Sequence, residues 1–152
     1  MQKIIEEIYI ENKNDFPFFE NPDSFDDNIK NNYVYAWFAK TNPKKYFYIG
    51  KGKKDRYKHI LWDINAVEKD KRKYKGKRYK LLKDIYGIDC EFLYKNVTAK
   101  EVAVLEIYCI VNYLKSRQPL LNQIIPNIDD ETNLFWEKVN YSNDEELLKY
   151  FK

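Results

Sequence analysis

The segment YFYIGKGKKDRYKHI, residues 46–60, concentrates the residue types that act on phosphate esters. It holds two of the four glycines of the chain, its only histidine, an arginine and several lysines. Glycines let a ligand approach the backbone, and cationic side chains bind phosphate. Three interpretations are open at this point: a phosphate-binding loop, a solvated basic loop, or one half of an active site.

Spacing excludes several well-known site patterns. Gly50 and Gly52 lack the third glycine of a dinucleotide-binding loop, and GKGKKD lacks the GxxxxGK[ST] spacing of a P-loop. The chain has no HExxH and no Gly-x-Ser-x-Gly motif, and with one histidine a serine-type triad is unsupported. Cys90 and Cys109 form neither a disulfide framework nor, with that histidine, a zinc site.

Two alternating segments predict a β-hairpin around the start of this stretch. Residues 33–38 and 46–50 alternate with period two, and the intervening KTNPKK contains the turn signal Asn-Pro. One face is predicted to be aliphatic and the other to be lined by tyrosines. Strict alternation assigns these residues to the tyrosine-lined face: Tyr33, Tyr35, Trp37, Tyr46 and Tyr48.

A helix is predicted to follow the glycines. Asp55 can serve as its N-cap, with Arg56 as the first helical residue. Its apolar stripe is formed by Tyr57, Ile60, Leu61, Ile64 and Val67. Arg56, His59 and Asp63 lie off that stripe on one polar face.

The rest of the chain predicts further helices and a third strand. A short helix over 78–86 ends at Gly87, a strand follows over 88–94, and two short helices are expected in the tail, with a capping box at 142–145. The pattern of Thr98 and Glu101 predicts a capping box that opens a helix reaching to about Lys115.

Glu106 is the one charged residue of this helix between Val102 and Val111. It shares a face with Val102, Cys109 and Tyr113, so the carboxylate is expected to be at least partly buried. An unpaired buried charge is costly. A cation, a metal ion or a proton must therefore neutralise it, and a structural ion pair with a Lys or Arg is one way to do so.

The charge distribution predicts a polyanion-binding surface. The net charge is +3, but residues 40–83 contain 17 basic and 4 acidic residues, whereas both ends are acidic. The densest part, residues 69–80, has eight basic residues and one acidic residue. A basic block of this kind is typical of nucleic-acid binding. A solvated lysine-rich surface is the alternative.

Length and composition predict a single globular domain, and the predicted mixture of strands and helices makes it an α+β domain. We expect a small three-stranded antiparallel sheet flanked by helices, with an N-terminal extension (1–31), a core domain (32–124) and a C-terminal helical extension (125–152) packed on that domain. The sequence has no apolar run long enough to cross a membrane and no apolar signal region near its N-terminus. We expect an intracellular protein, in the cytoplasm or nucleoid, with reduced cysteines.

The order of these features resembles the GIY-YIG nuclease family. The first motif reads Tyr33, Val34, Tyr35, with Tyr33 where the family's name has glycine, and the second reads Tyr48, Ile49, Gly50. Twelve residues separate the two motifs. The continuation YIGKGKK is most like the branch that carries a YIGKGKG-type sequence before its arginine. The resemblance covers about residues 32 to 124, and the spacing of Arg56 and His59 is three where the family usually has four.

The resemblance implies metal-dependent hydrolysis of DNA. In that mechanism Glu106 binds one divalent ion, Mg²⁺, with Mn²⁺ able to substitute. Tyrosines help to activate the attacking water, and an arginine stabilises charge in the transition state. The catalytic residues it implies are Tyr35, Tyr48, Lys51, Arg56, His59 and Glu106. The substrate-binding residues that we expect are Gly50, Gly52, Asn122, Lys71, Arg72, Lys73 and Lys75.

Two other classes of function stay open. The chain could be a nucleic-acid-binding module that keeps the fold without catalysis, or a protein-interaction domain that uses its acidic ends. The sequence does not distinguish restriction, homing, repair or defence, and it does not indicate the oligomeric state.

Overall fold

Three strands form an antiparallel sheet in the order β2-β1-β3. They are β1 (Asn32–Ala39), β2 (Lys45–Gly52) and β3 (Ile88–Val97). The computed structural model describes residues 29–69 and 74–152. Most of the expected N-terminal extension (1–31) lies outside these residues. The predicted α+β fold, a three-stranded antiparallel sheet flanked by helices, is confirmed.

Helices cover both faces of the sheet. A short 3₁₀ helix, Arg56–Lys58, leads directly into the first α-helix. The α-helices of the described residues are α1 (His59–Lys69), α2 (Tyr74–Tyr86), α3 (Ala99–Lys115), α4 (Asp130–Asn140) and α5 (Asp144–Lys149). Within the described ranges, none of these helices has the length and apolar character that a membrane span requires.

The two faces of β1 form two separate apolar cores, as the alternation predicts. Tyr33, Tyr35 and Trp37 belong to a core that also contains residues of α1 and α2. Val34 and Ala36 are fully buried on the other face, in a core that they share with α3. The tyrosine-lined face and the aliphatic face of the central strand are therefore both real.

A β-bulge in β2 breaks the predicted alternation. Trp37 pairs with Tyr48, but Phe38 pairs with Tyr46, so Phe47 is an extra residue on its strand. Phe47 and Tyr48 consequently both contact the tyrosine-face core, whereas Tyr46 packs on the α3 side. The predicted position of Tyr46 on the tyrosine-lined face is wrong, because one inserted residue reverses the phase of a period-two pattern.

Several helix ends agree with the sequence. The Thr98 hydroxyl accepts a hydrogen bond from the Glu101 backbone N–H, and the Glu101 carboxylate accepts one from the Thr98 backbone N–H. This is the predicted capping box, and α3 ends at Lys115 as expected. Gly87 has a φ of 74° and follows directly on α2, as predicted for a left-handed helix end.

Other helix starts differ from the prediction. Asp55 makes no side-chain capping hydrogen bond, and the chain enters α1 through the 3₁₀ turn. The predicted capping box at 142–145 is also wrong, since Asn143 caps α5 by accepting from the Glu146 backbone N–H. Two short helices in the tail are confirmed.

Helix α2 starts at Tyr74 rather than at the predicted Arg78, and its first turn crosses closely over α1. A Cβ at Gly76 would lie 2.3 Å from the Asp63 carbonyl oxygen and 2.5 Å from Cγ2 of Val67. A glycine therefore permits this crossing, and the second half of the lysine-rich segment is helical instead of a loop.

The C-terminal helices complete the tyrosine-face core. Val139 of α4, Leu147 of α5 and Phe151 are fully buried together with Tyr35 and Trp37. Residues 125–152 thus share a core with the sheet.

Candidate active site

Two tyrosines and the histidine meet on one face of the sheet. Tyr35 projects from the central strand and Tyr48 from its neighbour, with ring centroids 6.2 Å apart. The imidazole of His59, at the start of α1, lies 4.7 Å from the Tyr48 ring and 5.8 Å from the Tyr35 ring, measured between centroids. The 3₁₀ turn after β2 brings the histidine to this position.

The two glycines of the segment make room for catalytic candidates. Gly50 pairs with Tyr35 across the strands, and a Cβ there would lie 2.5 Å from the phenol oxygen. A Cβ at Gly52 would lie 2.6 Å from Cβ of Arg56. Both glycines therefore allow side chains of the protein to pass close to the backbone. Their expected contact with substrate stays a prediction.

Tyr33 fastens the turn that carries Arg56. Its hydroxyl donates to the Lys54 carbonyl at 2.8 Å and accepts from the Tyr57 backbone N–H at 3.0 Å. Lys54 has a φ of 49°, an uncommon conformation that this contact helps to hold. Tyr33 is thus a positioning residue for this turn, a role that sequence reasoning did not assign.

Glu106 reaches the same region from α3, on the opposite side of β2. Its carboxylate is partly buried and accepts a hydrogen bond from the Lys51 backbone N–H. Burial raises the pKa of Glu106 from 4.5 to about 7, although the Lys51 charge and the N–H lower it. The expectation of a partly buried carboxylate is confirmed. The Lys51 charge and N–H compensate the negative charge of its ionised form only in part.

A cleft of about 340 Å³ joins several of these groups, but Tyr35 and Lys51 do not line it. Five sequence-predicted residues line it: Tyr48, Arg56, His59, Glu106 and Asn122. Other lining residues, including Tyr79, Gln123 and Ile124, were not predicted. Tyr79 and Gln123 carried no motif in the sequence, and only the fold brings them to this wall.

Both phenols of the site stay protonated near neutral pH. Burial, and secondarily the Glu106 charge, raise the pKa of Tyr48 to about 12, while Arg56 lowers it. Burial, followed by the neighbouring Tyr48, raises the pKa of Tyr35 as well. Neither hydroxyl accepts a proton unless it passes its own proton on.

His59 and Arg56 occupy different environments in spite of their shared helix face. His59 is only 7% exposed, and its Nδ1 lies 3.7 Å from the nearer Asp63 carboxylate oxygen. Arg56 is exposed, as is Lys51. The structure therefore places a buried imidazole and an exposed guanidinium in the lining of one cleft, and Lys51 is not among its lining residues.

Asn122 acts on the backbone. Its Oδ1 accepts from the Ile49 N–H at 3.1 Å and its Nδ2 donates to the Ile49 carbonyl at 2.7 Å. Leu121 adds a backbone N–H bond to the Phe47 carbonyl. This segment therefore extends the hydrogen bonding of β2 past the bulge, and Asn122 orients the strand that carries Tyr48.

The structure divides the lysine-rich segment. Lys71, Arg72 and Lys73 lie outside the described residues, and Lys75 lies within α2. Arg78 is 7% exposed, and its guanidinium donates to the carbonyls of Val139 and Asn140 at the end of α4. This cation is therefore engaged in holding the C-terminal helices.

The donor set suits an ion that takes few ligands from the protein, such as Mg²⁺. Among the described residues, no three His, Cys, Asp or Glu side chains cluster as metal ligands would. Mg²⁺ commonly uses one or two carboxylates and fills its other positions with water and substrate phosphate oxygens. The Glu106 carboxylate at the wall of an open cleft meets that requirement.

No protein-family model matches the chain, and comparisons with curated proteins and with solved structures find no similar protein either. The functional assignment therefore depends on the chemistry of the cleft.

Proposed function

We propose that this protein is a metal-dependent DNA endonuclease that hydrolyses phosphodiester bonds. The observation that carries the proposal is the convergence in one cleft of the under-compensated Glu106 carboxylate with Arg56, Tyr48 and His59. Perturbed titratable groups that meet in a cleft are typical of active sites. Their order along the sequence also resembles that of the GIY-YIG family.

Glu106 is the residue that would hold the divalent ion, Mg²⁺ or Mn²⁺. When bound there, such an ion supplies Lewis-acid polarisation of a phosphate oxygen and of a nearby water. Ionisation of a buried carboxylate whose charge is compensated only in part destabilises the folded protein. Positive charge at this wall is therefore favoured on electrostatic grounds alone.

The remaining residues bind the phosphate and accept the proton that the attacking water loses. Arg56, exposed at the rim, offers a planar fork of donors to the scissile phosphate. Tyr48 orients the attacking water through its hydroxyl. His59 packs on the Tyr48 ring, and its Nδ1 lies 3.7 Å from an Asp63 carboxylate oxygen. It is the neighbouring group able to take the proton that the phenol passes on.

The basic surroundings favour DNA as the substrate. Lys53 and Lys54 are exposed on the turn that leads to Arg56, and Lys51 is exposed near the end of β2. Such charges attract the phosphate backbone without reading base sequence. The basic residues of 71–75 extend this block along the chain, and we expect them to follow the backbone beyond the cleft.

A cleavage panel tests the proposal. Linear, nicked, branched and supercoiled DNAs are incubated with the protein in Mg²⁺, Mn²⁺ or EDTA. We expect cleavage with either metal, none in EDTA, and strongly reduced cleavage by the Arg56→Ala variant. Salt-dependent binding of DNA without cleavage under any condition would instead support the non-catalytic binding module.

A further inference from the structure

A second cleft, of about 210 Å³, adjoins the candidate active site. It is lined by Arg78, Tyr79, Leu121, Gln123, Trp136, Asn140 and Tyr141. Tyr79 and Gln123 line both clefts, so they form a shared wall between them. A ligand in the first cleft is therefore a direct neighbour of whatever enters the second.

The second cleft has two aromatic residues in its lining, Trp136 and Tyr141. Tyr141 follows directly on α4 and is 86% exposed. Trp136 is partly buried, and its indole N–H donates to the Asn122 carbonyl at 2.8 Å, which fixes the ring. Leu121, which is buried, adds apolar surface. The Trp136 ring is therefore held in place by its hydrogen bond, whereas the exposed Tyr141 ring has room to move.

The polar groups of this cleft suit a flat, uncharged ligand attached to a phosphate. Arg78 brings a guanidinium that is already fixed by the end of α4. The Asn140 Nδ2 donates to the Leu120 and Trp136 carbonyls, which orients that amide. Gln123 is exposed, and its amide can pair with the edge of a base. Aromatic rings, a guanidinium plane and an amide are the groups that bind unstacked bases in proteins.

We propose that the second cleft takes one unpaired nucleobase of the DNA strand whose phosphate lies in the first cleft. The inference rests on the proposed function and names its substrate class, DNA with an unpaired base beside the cut. A paired base would first have to leave the stack, which costs free energy. Bulged, looped or flapped DNA avoids that cost.

Binding in EDTA tests the inference apart from catalysis. One probe is a duplex with a single unpaired 2-aminopurine, and the other is the same duplex fully paired. We expect the wild-type protein to bind the unpaired probe at least about fivefold more tightly, and to change its fluorescence, since stacking on one aromatic side chain is worth about that factor or more.

Variants at exposed tyrosines provide the controls. Tyr141→Ala should lose the preference, and Tyr141→Phe should keep it, because the ring and not the hydroxyl stacks. Tyr108→Ala is the matched control, since Tyr108 is 40% exposed on α3 and lines neither cleft. It should retain the preference. Equal affinity of the wild-type protein for both probes overturns the inference, as does an unchanged preference in Tyr141→Ala.

The two proposals fail in different ways. Cleavage in Mg²⁺ with no preference for the unpaired base overturns the base-binding cleft and leaves the nuclease intact. A Tyr141-dependent preference without cleavage of any DNA supports the base-binding cleft and overturns the nuclease. Absence of DNA binding overturns both.

Discussion

Replacement of Glu106 by glutamine should stabilise the metal-free protein at alkaline pH. The carboxylate is partly buried on α3, and the Lys51 backbone N–H and ammonium compensate its charge only in part, so its pKa is raised. Glutamine has nearly the same shape and no charge. The variant therefore removes the cost of ionising a buried group and leaves the packing of α3 almost unchanged.

The size and sign of the effect follow from proton linkage. Between pH 4.5 and about 7 the folded protein holds a proton on Glu106 that the unfolded chain has lost, so wild-type stability falls as pH rises through this window. The rise in pKa from 4.5 to about 7 corresponds to about 3 kcal/mol when the group is fully ionised. From pH 5 to pH 8, the stability advantage of Glu106→Gln over wild type should grow by about 2 to 3 kcal/mol.

Urea unfolding of both proteins in EDTA at a series of pH values measures this gain. Glu137→Gln is the matched control, because it removes an exposed glutamate of α4 and reports the effect of one lost negative charge alone. Saturating Mg²⁺ should stabilise the wild-type protein and leave Glu106→Gln unaffected. A difference between wild type and Glu106→Gln that is constant from pH 5 to pH 8 would refute the reasoning.

Four further outcomes are expected. Arg56→Ala should slow single-turnover cleavage by about a hundredfold, and Arg56→Lys should recover little, since an ammonium does not reproduce the fork; near-normal rates in the lysine variant would show that charge alone suffices. Tyr48→Phe should fold normally by circular dichroism and lose about a hundredfold in rate, whereas a normal rate would make the tyrosine a packing residue. Arg78→Ala should lower the free energy of unfolding by about 3 kcal/mol, because α4 loses charged hydrogen bonds, while Lys77→Ala next to it should change it by less than about 0.5 kcal/mol. Glutamine at the four basic positions of 71–75 should weaken binding to all DNA sequences alike. The slope of log affinity against log salt concentration should fall by about 0.9 for each phosphate that the segment no longer binds. An unchanged slope would mean that the segment is a solvated surface.

Local sequence patterns predicted much of the fold, because the features concerned are determined by interactions between residues close together in the sequence. The period-two alternation of β1, the capping box at Thr98 and the left-handed residue Gly87 each depend on neighbours within a few positions. The bulge at Phe47 could not be predicted in this way. At the bulge the Phe47 carbonyl accepts a hydrogen bond from the backbone N–H of Leu121, a residue far along the chain. The one inserted residue moved Tyr46 to the opposite face.

The sequence predicted residues of the candidate site from their types, but it did not predict the structural residues that surround them. Glu106 was identifiable because a lone carboxylate in an apolar helix is unusual. By contrast, the sequence shows Arg78 only as one of several cations in the basic segment. It is a buried hydrogen-bond donor because α4 packs against it. The role of Tyr33 likewise depends on the turn after Gly52, which no pattern in the sequence describes.

The central claim is tested most directly by single-turnover cleavage with wild type and Glu106→Gln in Mg²⁺, with the DNA affinity of both measured on the same substrate in EDTA. We predict that wild type cuts, that the variant does not, and that their DNA affinities agree to within about threefold, because the change removes a metal ligand and not the basic surface. Cleavage by Glu106→Gln at the wild-type rate, or a wild-type protein that binds the DNA and never cuts it, would contradict the account.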